Sequence, residues 1–517
     1  MVALLKLAFR EEVDLVVLVV AAVFSILWLI WKLKSNNGGT NPSLPPGPRG
    51  LPIVGNLLSL DTELHSQFAN LAKIYGPIMT LWLGKKVTIV ISSPVLAREV
   101  LKVHDAIFAN RDITAASKVS SYGGNDIVWL PYGDKWRALR KILVSQMLTK
   151  ETLDSFYYIR RKEIRNSIKH VYNMQVGSPV NIRDMMFLTI MNVVMGMIWG
   201  GTKDGIGFGV EFRKVIIEVT RLMGAPNLSD FYPGLAWLDV QGIEKSMKVS
   251  MKKIDGIFDR IIDERRKMDC AENKDFLQFL LQLKDDGESK TSITITHIKG
   301  LLLVANDPTL LDMVIGGTNT TSSTLEFALA HMIDNPEILN KAHQELDTIV
   351  GKDNIVEESH IKNLPYMHAI MKEVLRLHPS VPLLLPHSPS ESCVIGGYTV
   401  PKSARVFVNV WAIHRDHTIW ENPLEFQPER FLDHKLDYSE SGFNYIPFGS
   451  GRRICPGAMM GEMMFMYLLS SHVHSFDWRS SVGEKIRLSE KFGTVVRKKE
   501  PLMAIPTPRL HGSSIYE

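Results

Sequence analysis

The segment Phe448-Gly449-Ser450-Gly451-Arg452-Arg453-Ile454-Cys455-Pro456-Gly457 constrains the fold of this chain more than any other stretch. Its glycines permit unusual backbone angles and let a flat ligand approach the chain closely. Pro456 suits the first turn of a helix, where its missing N–H costs nothing. A helix is expected over Ala458 to Ser471. Cys455 therefore sits just before a helix N-terminus, where backbone N–H groups and the helix dipole stabilise a thiolate. Read from the residues alone, this is an activated cysteine in a Gly-rich loop. Such a thiolate is either a haem ligand or a nucleophile, and no nearby His or acid is evident to serve a nucleophile.

The other cysteines are Cys270 and Cys393, so the chain has 3 in 517 residues. A large body without a disulfide framework points to a reducing compartment such as the cytosol. The net charge of +4 is mild, and no basic stripe with interleaved aromatics argues for nucleic acid. Hydrophobic residues make up 45% of the chain, enough for a sizeable core. The body contains no long linker or internal repeat, which fits one large catalytic domain.

Leu15 to Trp31 is apolar apart from Ser25. As a helix at about 1.5 Å per residue it is about 26 Å long, just enough for a bilayer core. The run ends in bulky Trp28 and Trp31 rather than a small-residue cleavage site, so a retained anchor is expected over 1–34. Lys32, Lys34 and Arg49 follow the run, against Lys6 and Arg10 before it. The positive-inside rule then favours a single-pass protein with a cytosolic body. Pro45-Pro46-Gly47-Pro48-Arg49-Gly50 excludes helix or sheet interior and reads as a stiff hinge or a bare spacer over 35–50, before a domain over 51–517.

Within the body, Val87 to Ser92 reads as a strand rich in β-branched residues. Asn340 to Val350 and Tyr366 to Leu377 read as helices, with short strand signals at Cys393 to Val400 and Ala404 to Val408. A mainly α fold with small β-sheets follows. Asn227-Leu228-Ser229 and Asn319-Thr320-Thr321 match glycosylation sequons by chance if the body is cytosolic. His414-Arg415-Asp416 mimics a kinase catalytic loop, but no Gly-rich phosphate loop or Asp-Phe-Gly accompanies it.

The cysteine segment matches Phe-x-x-Gly-x-Arg-x-Cys-x-Gly at every fixed position, and so resembles the haem-binding signature of the cytochrome P450 family. The resemblance runs over essentially the whole chain and is strongest to plant microsomal members. It implies the cytochrome P450 fold behind an N-terminal transmembrane helix, with haem b (iron protoporphyrin IX) ligated by Cys455 and contacted by Phe448. Glu373 and Arg376 match the family's Glu-x-x-Arg, and Pro428-Glu429-Arg430-Phe431 follows at its usual place. The resemblance implies a buried Glu373–Arg376–Arg430 network that holds the haem loop. Trp136 and Arg140 match the family's Trp-x-x-x-Arg, which implies that both, with Arg453 and His387, contact the haem propionates.

The oxygen-activation helix of the family appears as Gly316-Gly317-Thr318-Asn319-Thr320-Thr321. The resemblance implies that Gly317 makes room for dioxygen and that Thr320 relays protons. Asn319 stands where the family has an acid, and an amide cannot deliver a proton by ionising. Asn306-Asp307-Pro308 is a second departure, since proline disrupts a helix interior. An interruption is therefore expected near Asn306 to Pro308.

The resemblance implies a haem-thiolate monooxygenase in the endoplasmic reticulum membrane that inserts one oxygen atom into an apolar small molecule. Its electrons would come from NADPH through NADPH–cytochrome P450 reductase. The family's substrate-recognition regions fall at Ser117 to Val128, Leu222 to Asn227, Met313 to Gly317, Val381 to Leu385 and Phe492 to Val495, mostly apolar stretches. Terpenoids and phenylpropanoid-type compounds both fit. A haem-thiolate isomerase or dehydratase, and a non-catalytic haem-binding membrane protein, are the alternatives. The retained Thr320 and unaltered haem loop argue against the first, while Asn319 and the Pro308 stretch are the only support for the second.

Overall fold

A computed structural model describes residues 43–200, 206–266, 276–277, 308–432, 442–481, 483 and 485–517. The expected anchor over 1–34 lies outside these residues, as does Cys270.

The helices that frame the interior are α1 (Ala115–Ser120), α2 (Asp134–Met147), α3 (Ile182–Trp199), α4 (Ile206–Met223), α5 (Ile243–Arg266), α6 (Pro308–Asp334), α7 (Pro365–Leu377) and α8 (Ala458–Ser475). Most helices of a soluble domain carry one apolar stripe. Helices α3 and α8 instead bury side chains on nearly every side, so they run through the core. Helix α3 starts on Asn181, whose side chain accepts from the Asp184 N–H, and stops at Gly200 in the left-handed region (φ 77°). It is long and apolar enough to span a membrane, yet 78% of it is buried inside the protein, which makes it a core helix.

Helix α6 packs along α3, and a buried ion pair fastens the two. Arg183 Nε donates to Glu326 Oε2 at 2.8 Å, and Glu326 Oε1 accepts the Leu502 N–H from the C-terminal strand Met503–Pro508's approach. Burial pushes the Glu326 carboxyl up, and Arg183 opposes that. The matched pair satisfies what would otherwise be a costly buried charge. Pro308 is the first residue of α6, a position where proline is tolerated. Residues 301–307 lie outside the described residues, so of the expected interruption only Pro308 is in view.

The main sheet uses β1 (Ile78–Leu83), β2 (Lys86–Ile91), β3 (Asn110–Arg111), β4 (His387–Ser388) and β5 (Arg405–Val408), in the order β1-β2-β5-β4-β3. β1 and β2 form a hairpin in which Ile78 faces Ile91, and β2 runs parallel to β5 with Thr88 opposite Arg405. The expected strands at Val87 to Ser92 and Ala404 to Val408 are β2 and β5. Cys393 to Val400 is a separate hairpin, Cys393–Ile395 against Tyr398–Val400. The expected helices at Asn340, Tyr366 and Ala458 form as Pro336–Ile349, α7 and α8.

The proline-rich stretch from Ser43 lies against this sheet. Pro45 is buried, the Thr80 N–H donates to Pro46 O at 2.9 Å, and a Cβ on Gly47 would fall 1.9 Å from Thr80 O. Only glycine allows that approach.

Candidate active site

The loop before α8 is shaped by two left-handed glycines, Gly449 (φ 71°) and Gly451 (φ 68°). At Gly451 the need is also steric, because a Cβ would sit 1.7 Å from Leu101 O. The turn closes when the Cys455 N–H donates to Phe448 O at 3.0 Å, which presents Cys455 to a deep cavity that Phe448 also lines. Cys455 is exposed to this cavity and at the same time lies deep within the protein. Burial pushes its thiol up, while the Gly457 N–H and Arg140 pull it back. Helix α8 begins three residues later, at Ala458. A coordinating metal cation would deprotonate such a thiol outright.

Helix α6 forms the facing wall. Gly316, Thr320 and Thr324 are spaced by four and share its cavity face. Thr320 Oγ1 donates to Gly316 O at 2.5 Å. Nothing lies within 4 Å of where a Cβ on Gly316 would be, so a side chain there would intrude on the cavity. Gly317 also lines it, and a Cβ there would touch Val194 at 3.5 Å. Asn319 is turned aside: its Nδ2 donates to Thr220 Oγ1 on α4 at 3.3 Å. The structure therefore separates Asn319 from the other residues expected to act on dioxygen.

One end of the cavity is strongly cationic. Arg453 donates to the carbonyls of Ala109, Ile127 and Leu130, and Arg140 donates to Ile454 O at 2.7 Å. Trp136 lies beneath both guanidiniums, 4.4 Å from Arg453 and 5.4 Å from Arg140, with its Nε1 donating to Ile127 O. His387 completes this end, its Nδ1 2.8 Å from Phe108 O. Because a carbonyl only accepts, the Nδ1 carries the proton. Burial, then Arg111 and Arg453, hold His387 well below its ordinary value.

Arg111, on β3, was not foreseen from the sequence. It donates to Leu385 O at 2.6 Å, while its buried Nε has no partner. Burial, then Arg453 and Arg140, push it down to about 9. Arg453 is likewise pushed down to about 10 by burial and Arg140, with Asp126 opposing. Among the described residues, no carboxylate forms an ion pair with Arg111, Arg140 or Arg453. Half-buried cations that line a cavity without a carboxylate call for an anionic partner. A flat ligand with two carboxylates at one edge and a thiolate-seeking metal at its centre fits the donor set, and haem has both.

Behind the cysteine loop, Glu373 and Arg376 are fully buried and joined by two bonds of 2.7 and 2.8 Å. Arg430 adds a 3.3 Å bond to Glu373, and the Gln427 N–H another at 2.8 Å. The expected network is thus assembled. It reaches the loop through His414, the first residue of the kinase-like tripeptide. Arg376 donates to His414 O at 2.8 Å, and His414 Nε2 accepts the Ile446 N–H at 2.9 Å. Burial, then Arg376 and Arg415, push His414 down to about 3, so it remains the neutral acceptor that Ile446 requires. Ile446 O in turn accepts the Gly449 N–H.

Of the expected substrate regions, Met313 to Gly317 and Val381 to Leu385 supply cavity walls, as do Ile127 and Val128. The segments Leu222 to Asn227 and Phe492 to Val495 do not line it. They pack on each other, with a Cβ on Gly224 falling 2.9 Å from Thr494 Oγ1.

Comparison with known proteins gives one consistent result. A family profile described as Cytochrome P450 matches residues 45–505. A flavonoid 3',5'-hydroxylase of Campanula medium is 40% identical over 491 residues, covering 91% of this chain and 92% of that protein. A geraniol 8-hydroxylase of Swertia mussotii is 39% identical over 474 residues, covering 90% and 94%. A zebra fish cytochrome P450 solved with abiraterone superposes with a TM-score of 0.70 at 26% identity, covering 86% of this chain and 99% of that one.

Proposed function

The chain belongs to the cytochrome P450 family, and on that premise we propose that it is a membrane-anchored monooxygenase that hydroxylates an apolar plant metabolite with electrons from NADPH through the family's reductase. The observation that carries this reading is the pairing of Cys455 with Thr320 on walls of one cavity that ends in Arg111, Arg140 and Arg453. Cys455 would ligate the iron of haem b, and Trp136, Arg140, Arg453 and His387, together with Arg111, would hold its propionates. Bound haem supplies the activation of dioxygen and the insertion of one oxygen atom into a C–H bond.

The chain's own part is binding, orientation and proton placement. The Glu373–Arg376–Arg430 network and His414 fix the loop that presents Cys455. Gly316 and Gly317 leave room beside Thr320. The Thr320 proton goes to Gly316 O, so its lone pairs are open to the cavity, and a proton passed on by Thr320 must first be received on Oγ1. Asn319, held by Thr220, supplies none. Val381, Leu384 and Val128 give the cavity its apolar lining, which suits the flavonoid and monoterpenoid substrates named for the relatives.

An exposed apolar patch supports a membrane location. Ile53, Trp82 and Trp237 are exposed, the last by 80%. Their segments meet, since the Asn56 N–H donates to Trp82 O and the Tyr232 OH to Ile53 O. The patch adjoins the stretch after Ser43, into which the expected anchor leads.

The test is turnover in labelled dioxygen, with the reductase and NADPH, on a flavonoid and a monoterpenoid panel. One labelled oxygen atom per product, dependent on NADPH, is expected. Unlabelled product, or turnover that ignores NADPH, contradicts the proposal.

A further inference from the structure

Ser380 lies three residues beyond α7, at a junction of three chain segments. Its carbonyl accepts the Val496 N–H at 2.8 Å, which ties the segment after Phe492 to the cavity wall. Its Oγ is 2.9 Å from Thr324 Oγ1 on α6 and 3.4 Å from Thr320 O. Ser380, Thr324 and Thr320 all line the cavity, beside the apolar Val381, Leu384 and Met313.

The hydrogen-bond distances favour one arrangement of the hydroxyl protons. Thr324 Oγ1 is 2.9 Å from Thr320 O, one helical turn back. A carbonyl only accepts, so the single hydroxyl proton of Thr324 goes there. The contact between the two hydroxyls then takes its proton from Ser380. That bond, at 2.9 Å, is shorter than the 3.4 Å alternative from Ser380 to Thr320 O. Both protons are used inside the protein. Ser380 Oγ is left with free lone pairs beside an apolar wall, able to accept but not to donate.

We infer that Ser380 Oγ, oriented by Thr324, is a subsite that accepts a hydrogen bond from a substrate hydroxyl, and that the cavity therefore selects phenols or alcohols over their ethers. This rests on the monooxygenase reading of the cavity. A phenol or alcohol donates to Ser380 Oγ as it enters. The corresponding methyl ether presents only lone pairs to lone pairs, and a polar atom in an apolar wall is left without a partner. Sites built to bond a substrate hydroxyl discriminate against analogues lacking it more strongly than apolar pockets sense a methylene. Thr320 differs in role, because its neighbour is the glycine pair where dioxygen would be accommodated.

The experiment is a spectral binding titration of the haem-loaded, full-length protein with two matched pairs: geraniol and geranyl methyl ether, and 7-hydroxyflavone and 7-methoxyflavone. An extra buried methyl would by itself favour the ethers, so the apolar baseline runs against the inference. The wild type is expected to bind the hydroxyl member of at least one pair about tenfold more tightly. Ser380→Ala should bring that ratio to about twofold or less while the reduced carbon-monoxide spectrum is unchanged. Thr324→Val removes the nearer acceptor of the Ser380 proton and leaves only the weaker 3.4 Å contact with Thr320 O, so a ligand ether can compete for that proton; the ratio should fall and the ether should gain. A purely structural role for Ser380 would not produce that gain. No hydroxyl preference in either pair, no binding of any of the four, or a preference that survives Ser380→Ala overturns the inference. A wild-type protein without a thiolate-type carbon-monoxide spectrum overturns the monooxygenase reading instead.

Discussion

Thr320 and Asn319 are neighbours in sequence but about 100° apart around α6. That angle gives one a cavity position and the other a bond to Thr220. Removing the Thr320 hydroxyl should divert reducing equivalents to peroxide. Thr320→Ala is expected to cut product per NADPH about tenfold while substrate affinity changes less than about twofold. Asn319→Ala should leave product per NADPH within about twofold of wild type, since its side chain does not reach the cavity. Equal uncoupling in both variants would show that Asn319 takes part in proton delivery. Motif spacing marks Cys455, Thr320 and Arg140 as candidates in the sequence, and all three line one cavity. Arg111, Ser380 and His414 are not so marked, because each acts through partners far away in the chain: Leu385, Thr324, and Arg376 with Ile446. The local pattern at His414 is a kinase-like tripeptide, and nothing in it marks the residue as the bridge to Ile446.

At the scale of elements, legibility followed local constraint. β2 is rich in β-branched residues and α7 opens with a proline, so both could be read directly. The two-residue strands β3 and β4 carry no pattern, and only pairing with the sheet makes them strands. Helix α7 owes its position to Arg376, which also donates to the carbonyls of Pro423 and Glu425. Glu373→Ala would leave that guanidinium buried without its carboxylate. A loss of about 3–5 kcal/mol is expected, read by urea unfolding together with haem content. A loss below about 1 kcal/mol would mean that solvent compensates the charge and that the network does not hold the loop. Helix α2 carries a second prediction. The guanidiniums of Arg137 and Arg452 lie 5.5 and 5.2 Å from the centre of the Tyr132 ring, with exposed Lys141 one turn beyond Arg137. Each arginine already has a carboxylate, Asp134 for Arg137 and Asp105 for Arg452, so the patch is partly neutralised. Reversing Arg137 and Lys141 to Glu should slow reductase-driven turnover severalfold at low salt and spare peroxide-driven turnover. Equal loss by both routes would assign the pair to the haem site.

The whole molecule should respond to acid through its buried histidines. Burial pushes His414 down to about 3 and His472 to about 4. Burial also lowers His331, His343, His378 and His474. The unfolded chain takes up protons near pH 6.5 that the fold refuses, so this stability is fully present above that pH and declines as the pH falls towards about 4. Each fully buried histidine contributes about 1.4 kcal/mol per pH unit in that window. The raised carboxyls of Asp230, Asp255, Glu326 and Glu345 act in the opposite sense but are fewer than the lowered histidines. The midpoint of thermal unfolding should therefore fall from pH 7 to pH 5, and a flat profile would refute this. Cys455, presented by the whole framework of loop, network and cationic end wall, is predicted to be the ligand of a haem. The most direct test is the reduced carbon-monoxide difference spectrum of the wild type beside Cys455→Ala. The wild type should give the red-shifted band of a thiolate-ligated haem, and Cys455→Ala should lose it. Persistence of that band in Cys455→Ala, or its absence from a haem-loaded wild type, would contradict the account.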